Sequence, residues 1–470
     1  MGATGQTGEA LRYDAIIVGA GPAGIFAALT LVRQGAGRVL ILEKGQGLAK
    51  RKCPAKRTKC IDCPTCAIMT GWGGAGAFSD GKLTLTSEVG GWLTDYVAAD
   101  KIDDLLERAD GLWLEFGATT EVHGPDPDTA ARLVHEATLA NMQLIPMRVR
   151  HIGTDRSPKV LGAMREALEA AGVEVRTSTE VTRILVDADR RIRGVELADG
   201  ESILADSVIA APGREGADWL AAQARVLGLG LKNNAVDIGV RVEVPAPVME
   251  RLTDPLYEAK LIYHSKQFGD RVRTFCMNPY GEVTTESYGG IVTVNGHSFA
   301  EERTANTNFA VLVSVEFTEP FDEPITYGES VARLANLLGE GILVQRLGDL
   351  KSGRRSTPAR MRQSVMEPTM PQATPGDLAF VLPYRHLAQI IEFLEAMDKL
   401  APGVAGPGTL LYGVEVKFYS SRLTVDRQLM TEVEGLYAIG DGAGITRGLL
   451  QSSASGIVAA ESVLAKRAKH

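Results

Sequence analysis

At 470 residues the chain exceeds the size at which a single hydrophobic core stops growing, so two domains or one elaborated domain are expected, with room to bury a large ligand. A composition of 45% hydrophobic, 23% charged and 6% aromatic residues excludes fibrous and disordered classes. Fifty Lys and Arg against 58 Asp and Glu leave a formal charge of -8, which argues against nucleic acid as a partner, because such binding rests on clustered cations. No apolar run reaches membrane-spanning length and residues 1–12 lack the apolar centre of a signal peptide, so no membrane partner and a cytoplasmic location are expected.

The first apolar run, residues 14–18, is followed by Gly19-Ala20-Gly21-Pro22-Ala23-Gly24 and an Ala-rich helical stretch. This is G-x-G-x-x-G in the strand-turn-helix setting that gives it meaning. Gly19 permits the tight turn, Gly21 lets a pyrophosphate approach the backbone, and Gly24 lets the helix pack on the strand. A second strand, residues 38–42, ends at Glu43, placed to accept hydrogen bonds from an adenosine ribose.

Cys53, Cys60, Cys63 and Cys66 then follow with the spacing C-x6-C-x2-C-x2-C. In a cytoplasmic protein such a set points to metal or redox chemistry rather than to structural disulfides. Four sulfurs at these intervals suit a cuboidal iron–sulfur cluster, with tetrahedral zinc ranked behind it; a dithiol/disulfide pair and unliganded thiols stay open. Directly after them, residues 71–82 hold five glycines in twelve positions, a backbone able to lie flat against a planar or anionic group. Residues 92–144 read as a mostly helical insertion with a packing role.

Residues 157–171 read as an amphipathic helix, and short strands with an Asp199-Gly200 hairpin turn lead to Ala211-Pro212-Gly213. From residue 237 to 317 apolar alternation dominates, which predicts an antiparallel sheet buried on one face, with helices near 327–338 and 385–400. Cys276 reads as a core residue. The Pro- and Arg-rich stretch 353–376, with Arg354 and Arg355, is a candidate anion-binding lid. In residues 413–419 a strand would place Glu415, Lys417 and Tyr419 on one face. The chain ends with an apolar strand, Gly440-Asp441-Gly442, Arg447-Gly448-Leu449 and a small-residue helix whose start can aim N–H groups at an anion.

The pairing of Gly19-x-Gly21-x-x-Gly24 with Tyr437-Ala438-Ile439-Gly440-Asp441-Gly442 resembles FAD-binding oxidoreductases of the glutathione-reductase-like superfamily. More narrowly, the cysteine run with residues 73–82, together with 236–241, 275–279, 381–386 and 413–419, is similar to a family of bacterial and archaeal FAD-dependent dehydrogenases. The resemblance implies an α/β fold: a Rossmann-like FAD-binding domain with a parallel sheet discontinuous in sequence, and a second α+β substrate domain on a mainly antiparallel sheet. The expected division is 12–232 (with the cysteine segment 53–66 and the helical insertion 92–150), 233–412 and 413–470. It also implies FAD contacts at Gly19, Gly21, Pro22, Ala23, Gly24, Glu43, Lys44, Gly73, Gly74, Phe78, Ser79 and Lys82. Val181, Ala211, Gly213, Gly440, Asp441, Gly448 and Leu449 complete that set.

The function so implied is an FAD-dependent oxidoreductase moving hydride between flavin N5 and a small organic substrate, with Lys417, Tyr419 or His386 as acid/base. Arg354, Arg355 and Arg447 are candidate carboxylate clamps. No second G-x-G-x-x-G appears, which argues against a dedicated NAD(P)H domain and leaves NAD(P)H open as a cofactor. Electrons come from the substrate, or through an iron–sulfur centre from ferredoxin or another carrier. A flavin monooxygenase and a non-enzymatic FAD redox sensor or electron-transfer subunit are the rival readings, and a tRNA-modifying flavoprotein is disfavoured by the acidic balance.

Overall fold

The computed structural model describes residues 12–54, 63–79, 81–153, 156–232, 234–288, 290–298, 303–315, 323–417 and 420–468. The nucleotide half is built on a five-stranded, all-parallel sheet in the order Leu436–Ala438, Val208–Ala210, Ala15–Val18, Val39–Glu43, Glu174–Thr177. The four strands other than the edge strand Glu174–Thr177 are buried and apolar except for Glu43, as expected for a parallel sheet covered on both faces. Its first and last strands in sequence lie almost the whole chain apart, so the domain is discontinuous. Pro22–Arg33 and Leu449–Arg467 pack against each other on it. Their approach needs glycine: a Cβ on Gly456 would stand 2.2 Å from the Ala23 carbonyl oxygen.

The second half is an eight-stranded sheet, antiparallel except at one edge, in the order Thr374–Pro375, Leu343–Arg346, Leu410–Lys417, Val236–Pro245, Asn306–Val315, Arg271–Asn278, Lys260–His264, Gln143–Ile145. The expected division at 412/413 therefore falls inside the strand Leu410–Lys417. The helical insertion splits between the halves: Ala99–Glu115 packs on Leu449–Arg467, whereas Pro127–Leu139 packs on the edge strand Gln143–Ile145.

Burial on one face, expected from alternation, does not hold. Val236, Ile238, Val240, Val242 and Val244 pack with Phe393, Ile390 and Leu252 on the helical side. The alternate residues Asp237, Arg241 and Glu243 are equally buried on the other side. They satisfy one another there rather than meeting water: Asp237 pairs with Arg273, Arg241 with Glu415, and Glu243 accepts from Asn306, Thr369 and Tyr412. The hairpin Glu282–Tyr288/Ile291–His297 covers part of this polar face. Among the described residues no helix is long and apolar enough to cross a membrane.

Candidate active site

The carboxyl ends of the parallel strands carry Gly19, Glu43, Ala211 and Gly440, and a cavity of about 820 Å³ opens from them towards the polar face of the large sheet. At Gly19 (φ 105°) a Cβ would lie 2.1 Å from the Ala211 oxygen, and at Gly24 one would lie 2.0 Å from the Gly19 oxygen. These two glycines close the turn on itself. Gly21 differs: nothing of the protein lies within 4 Å of its Cβ position, which is the free space a pyrophosphate needs. Gly213 and Gly448, also on the wall, are equally open. Gly21 and Gly448 each precede a helix, so two helix N-termini present unpaired N–H groups and positive partial charge to the same cavity. This cradle fits a dinucleotide such as FAD.

Glu43 is more heavily engaged than a ribose acceptor alone requires. Its carboxylate accepts from Ala20 N (2.9 Å), Gly45 N (2.7 Å) and Gly71 N (2.9 Å). It thereby fastens the start of the glycine-rich loop to the phosphate turn. Gly73 N adds a bond to Ala20 O, and a Cβ on Gly74 would lie 3.1 Å from Gly21 Cα. The loop continues as a short 3-10 helix, Gly74–Phe78, and Gly74, Ala75, Gly76, Ser79 and Lys82 line the cavity.

Of the other expected contacts, Pro22, Ala23, Lys44, Val181, Asp441 and Leu449 also line it. Asp441 accepts from the Thr446 and Ser452 hydroxyls at 2.8 Å each. Gly24, Gly73 and Phe78 do not line it. Gly24 serves the turn, a Cβ on Gly73 would meet Leu161, and Phe78 lies under the Arg51 guanidinium at 4.7 Å. Lys82 belongs to the far half, where its ammonium donates to Met277 O (3.2 Å) and faces Glu258 (3.6 Å).

That far half is lined by Glu258, Lys260, Arg273, Phe275, Glu286 and Lys417, among others. Lys417 is 4% exposed at its side chain, with Nζ 3.2 Å from Glu415 and 3.4 Å from Glu286. The Lys417 ammonium holds Glu286 down at about 2, with Arg214 and Arg447 assisting, against the opposing effect of burial. Arg447 lines the cavity as well.

Several expectations need correcting. His386 lies in the helix Tyr384–Met397, on the apolar side of the sheet and away from the cavity; neither ring nitrogen has a hydrogen-bond partner, and burial lowers it to about 4. Arg354 is bound to Asp349 at 2.9 Å; within residues 353–376, Thr374–Pro375 form the sheet edge, Thr369 reaches Glu243 on the polar face, and no residue of the stretch lines the cavity. Cys276 is not a core residue. It sits half-buried on the cavity wall with φ 45°, at a break in register between Phe275 and Asn278 that turns it out of the strand. Tyr419 and Cys60 lie outside the described residues. Among the described residues no three His, Cys, Asp or Glu side chains gather to hold a metal, and Cys53, Cys63 and Cys66 are half-buried free thiols.

Sequence reasoning missed Lys260, Arg273, Phe275 and Glu286. The signal was the alternation of Arg271, Arg273 and Phe275 on one strand face, which is indistinguishable in sequence from a face turned to water.

Residues 12–250 match the family described as FAD binding domain, and residues 235–418 match FAD-dependent protein, C-terminal domain-like. An uncharacterized protein of Clostridium beijerinckii is 27% identical over 486 aligned positions, covering 97% of this chain and 82% of that protein. The 3-ketosteroid-delta4-(5alpha)-dehydrogenase of Rhodococcus jostii is similar at 13% identity and a TM-score of 0.45, over 98% of this chain and 99% of that one. L-proline dehydrogenase from P. horikoshii is similar at 13% identity and a TM-score of 0.42, over 97% and 95%. With the family match spanning half the chain and the glycine cradle beneath it, the chain belongs to the FAD-binding domain family and is an FAD-dependent oxidoreductase.

Proposed function

We propose that the protein oxidises or reduces a small organic substrate seated in the far half of the cavity, by hydride exchange with the cofactor. Bound FAD supplies a hydride acceptor and donor at N5. The observation that carries the reading is the Lys417–Glu286 pair standing in the wall of the same cavity as the glycine cradle. Glu286, kept ionised, is an acceptor only, so it orients the ammonium and does not itself deliver a proton at neutral pH. Lys417 Nζ is then the atom that gives or takes the substrate's proton, with Glu415 and Glu286 fixing its direction. The Lys417 side chain is itself buried, which limits the contact of Nζ with bulk water.

The test is anaerobic. Holoenzyme is reduced chemically, mixed with enones, imines and ketones, and followed by flavin absorbance. At least one class reoxidises it, and Lys417→Met abolishes that reoxidation without lowering FAD content. Reoxidation by oxygen alone, with a hydroxylated product, would make the protein a monooxygenase and overturn the reading.

Cys53, Cys60, Cys63 and Cys66 are proposed as iron–sulfur ligands exchanging electrons with ferredoxin or a similar carrier. Their spacing supports this, as does the attachment of Cys66 to the cavity wall, where its carbonyl accepts from Thr70 N and Oγ1. Iron and acid-labile sulfide in anaerobically purified protein, both lost in Cys63→Ser with FAD retained, is the expected result. Neither element at stoichiometric level removes the proposal.

A further inference from the structure

The far half of the cavity has a charge that the chain as a whole does not predict. The protein carries a formal -8, yet Lys82, Lys260, Arg271, Arg273 and Lys417 line this chamber, with Arg214 and Arg447 where it joins the nucleotide half. Among the described lining residues only Glu88, Glu258 and Glu286 oppose them there. Asp237 and Glu415 stand behind the wall, paired with Arg273 and with Lys417 and Arg241. With Arg241, both of these and Asp441 at the junction counted, eight cations stand with six carboxylates.

The cations are also arranged about one surface. The Phe275 ring has the Lys260 ammonium 5.0 Å, the Arg273 guanidinium 4.8 Å and the Lys417 ammonium 5.9 Å from its centroid. The negative face of the ring lets like charges crowd together in a site that otherwise disfavours them. Glu258 serves two lysines at once, Lys260 at 3.2 Å and Lys82 at 3.6 Å, and so neutralises neither in full. Burial draws Lys260 below its ordinary value, while Glu258 pulls the other way. A second anion delivered to this wall would act in the same direction as Glu258 and favour the ammonium. Arg273 is backed by Asp237, which fixes its fork, the geometry that guanidinium uses for planar oxyanions.

We propose that the substrate is an organic anion, bound through a carboxylate or phosphate group on the Lys260–Arg273–Phe275 wall. This rests on the hydride-transfer reading for its reacting end and names the class of molecule that reading leaves open. An oxyanion on this wall meets the Lys260 ammonium and the Arg273 fork together, and so fixes the carbon to be oxidised or reduced with respect to Lys417. Electrostatic focusing into such a chamber also raises the encounter rate.

The experiment titrates FAD-loaded and FAD-free protein with succinate, citrate, inorganic phosphate and pyrophosphate, with succinamide as the uncharged control. Binding is read from the flavin absorption spectrum and from the melting temperature. At least one anion binds tenfold or more tightly than succinamide, and whether carboxylates or phosphates lead identifies the group. Lys260→Gln and Arg273→Gln each weaken that anion at least tenfold with FAD content retained, and Lys260→Arg keeps it within threefold. Because the melting shift is read without turnover or cofactor, failure of every organic hydride acceptor would leave the titration interpretable. No anion better than succinamide, or unchanged binding in Lys260→Gln, overturns the proposal.

Discussion

The Arg241 guanidinium grips the Glu415 carboxylate with two hydrogen bonds, 2.8 and 2.9 Å, and neither side chain reaches solvent. The same guanidinium donates to Cys276 O (2.8 Å) and Asn308 Oδ1 (3.0 Å), so one buried cation ties its own strand to three others beneath the chamber. Removing one partner strands the other charge in the interior. Glu415→Ala is expected to cost about 3–5 kcal/mol, read by urea denaturation of the cofactor-free protein. A cost below about 1 kcal/mol would mean that water reaches the site.

Two of the turn glycines separate folding from cofactor binding. Gly24→Ala drives a methyl into the Gly19 carbonyl and is expected to destabilise the protein by about 1–3 kcal/mol. Gly21→Ala meets no protein atom, so the melting temperature of the cofactor-free chain stays within a degree or so while FAD affinity falls at least tenfold. Flavin fluorescence titration beside a thermal melt distinguishes the two.

His386 makes the fold acid-sensitive without serving the chemistry. Its folded value of about 4 lies below the ordinary 6.5, so the native state binds fewer protons than the unfolded chain between those values. Stability is therefore complete above about pH 6.5 and declines as pH falls towards 4, by roughly 3 kcal/mol at most. His386→Leu is expected to flatten that slope in urea melts at pH 7 and pH 5, with FAD content unchanged.

Glu286 works in a lower window. Its folded value of about 2 lies below the ordinary 4.5, so its ion pairs contribute fully above pH 4.5 and fade as pH falls towards 2. The melting-temperature gap between wild type and Glu286→Gln is expected to be widest at neutral pH and to close in acid. A gap that is constant across pH would show that Lys417 does not hold the carboxylate ionised.

The nucleotide half was legible because its requirements are local. A tight turn, an open Gly21 and a strand-terminal acid are all written within thirty residues, and Asp441 follows another apolar strand in the same idiom. The far half was not, because its chemistry is assembled across strands: Lys260, Arg273, Glu286 and Lys417 come from four separate segments, and alternation does not say whether a polar face meets water, a hairpin or a cavity. His386 misled for the converse reason. A histidine beside Tyr384 and Arg385 looks chemical in a string, but helical periodicity turns it to the apolar side, where Leu387, Ile390 and Phe393 are buried with it.

Arg51 has a consequence for how the cysteine segment relates to everything else. Its buried guanidinium donates to Ala67 O (2.9 Å), Ile68 O (2.7 Å) and Trp72 O (2.7 Å), and covers Phe78. The chain leaves the nucleotide half at residue 51 and is clasped back at 67 by the same side chain. The glycine loop is therefore held by contacts that Arg51 makes with residues 67–72 and Phe78, none of which involves a cysteine side chain. A version shortened between those anchors, with no thiol in it, should still be yellow.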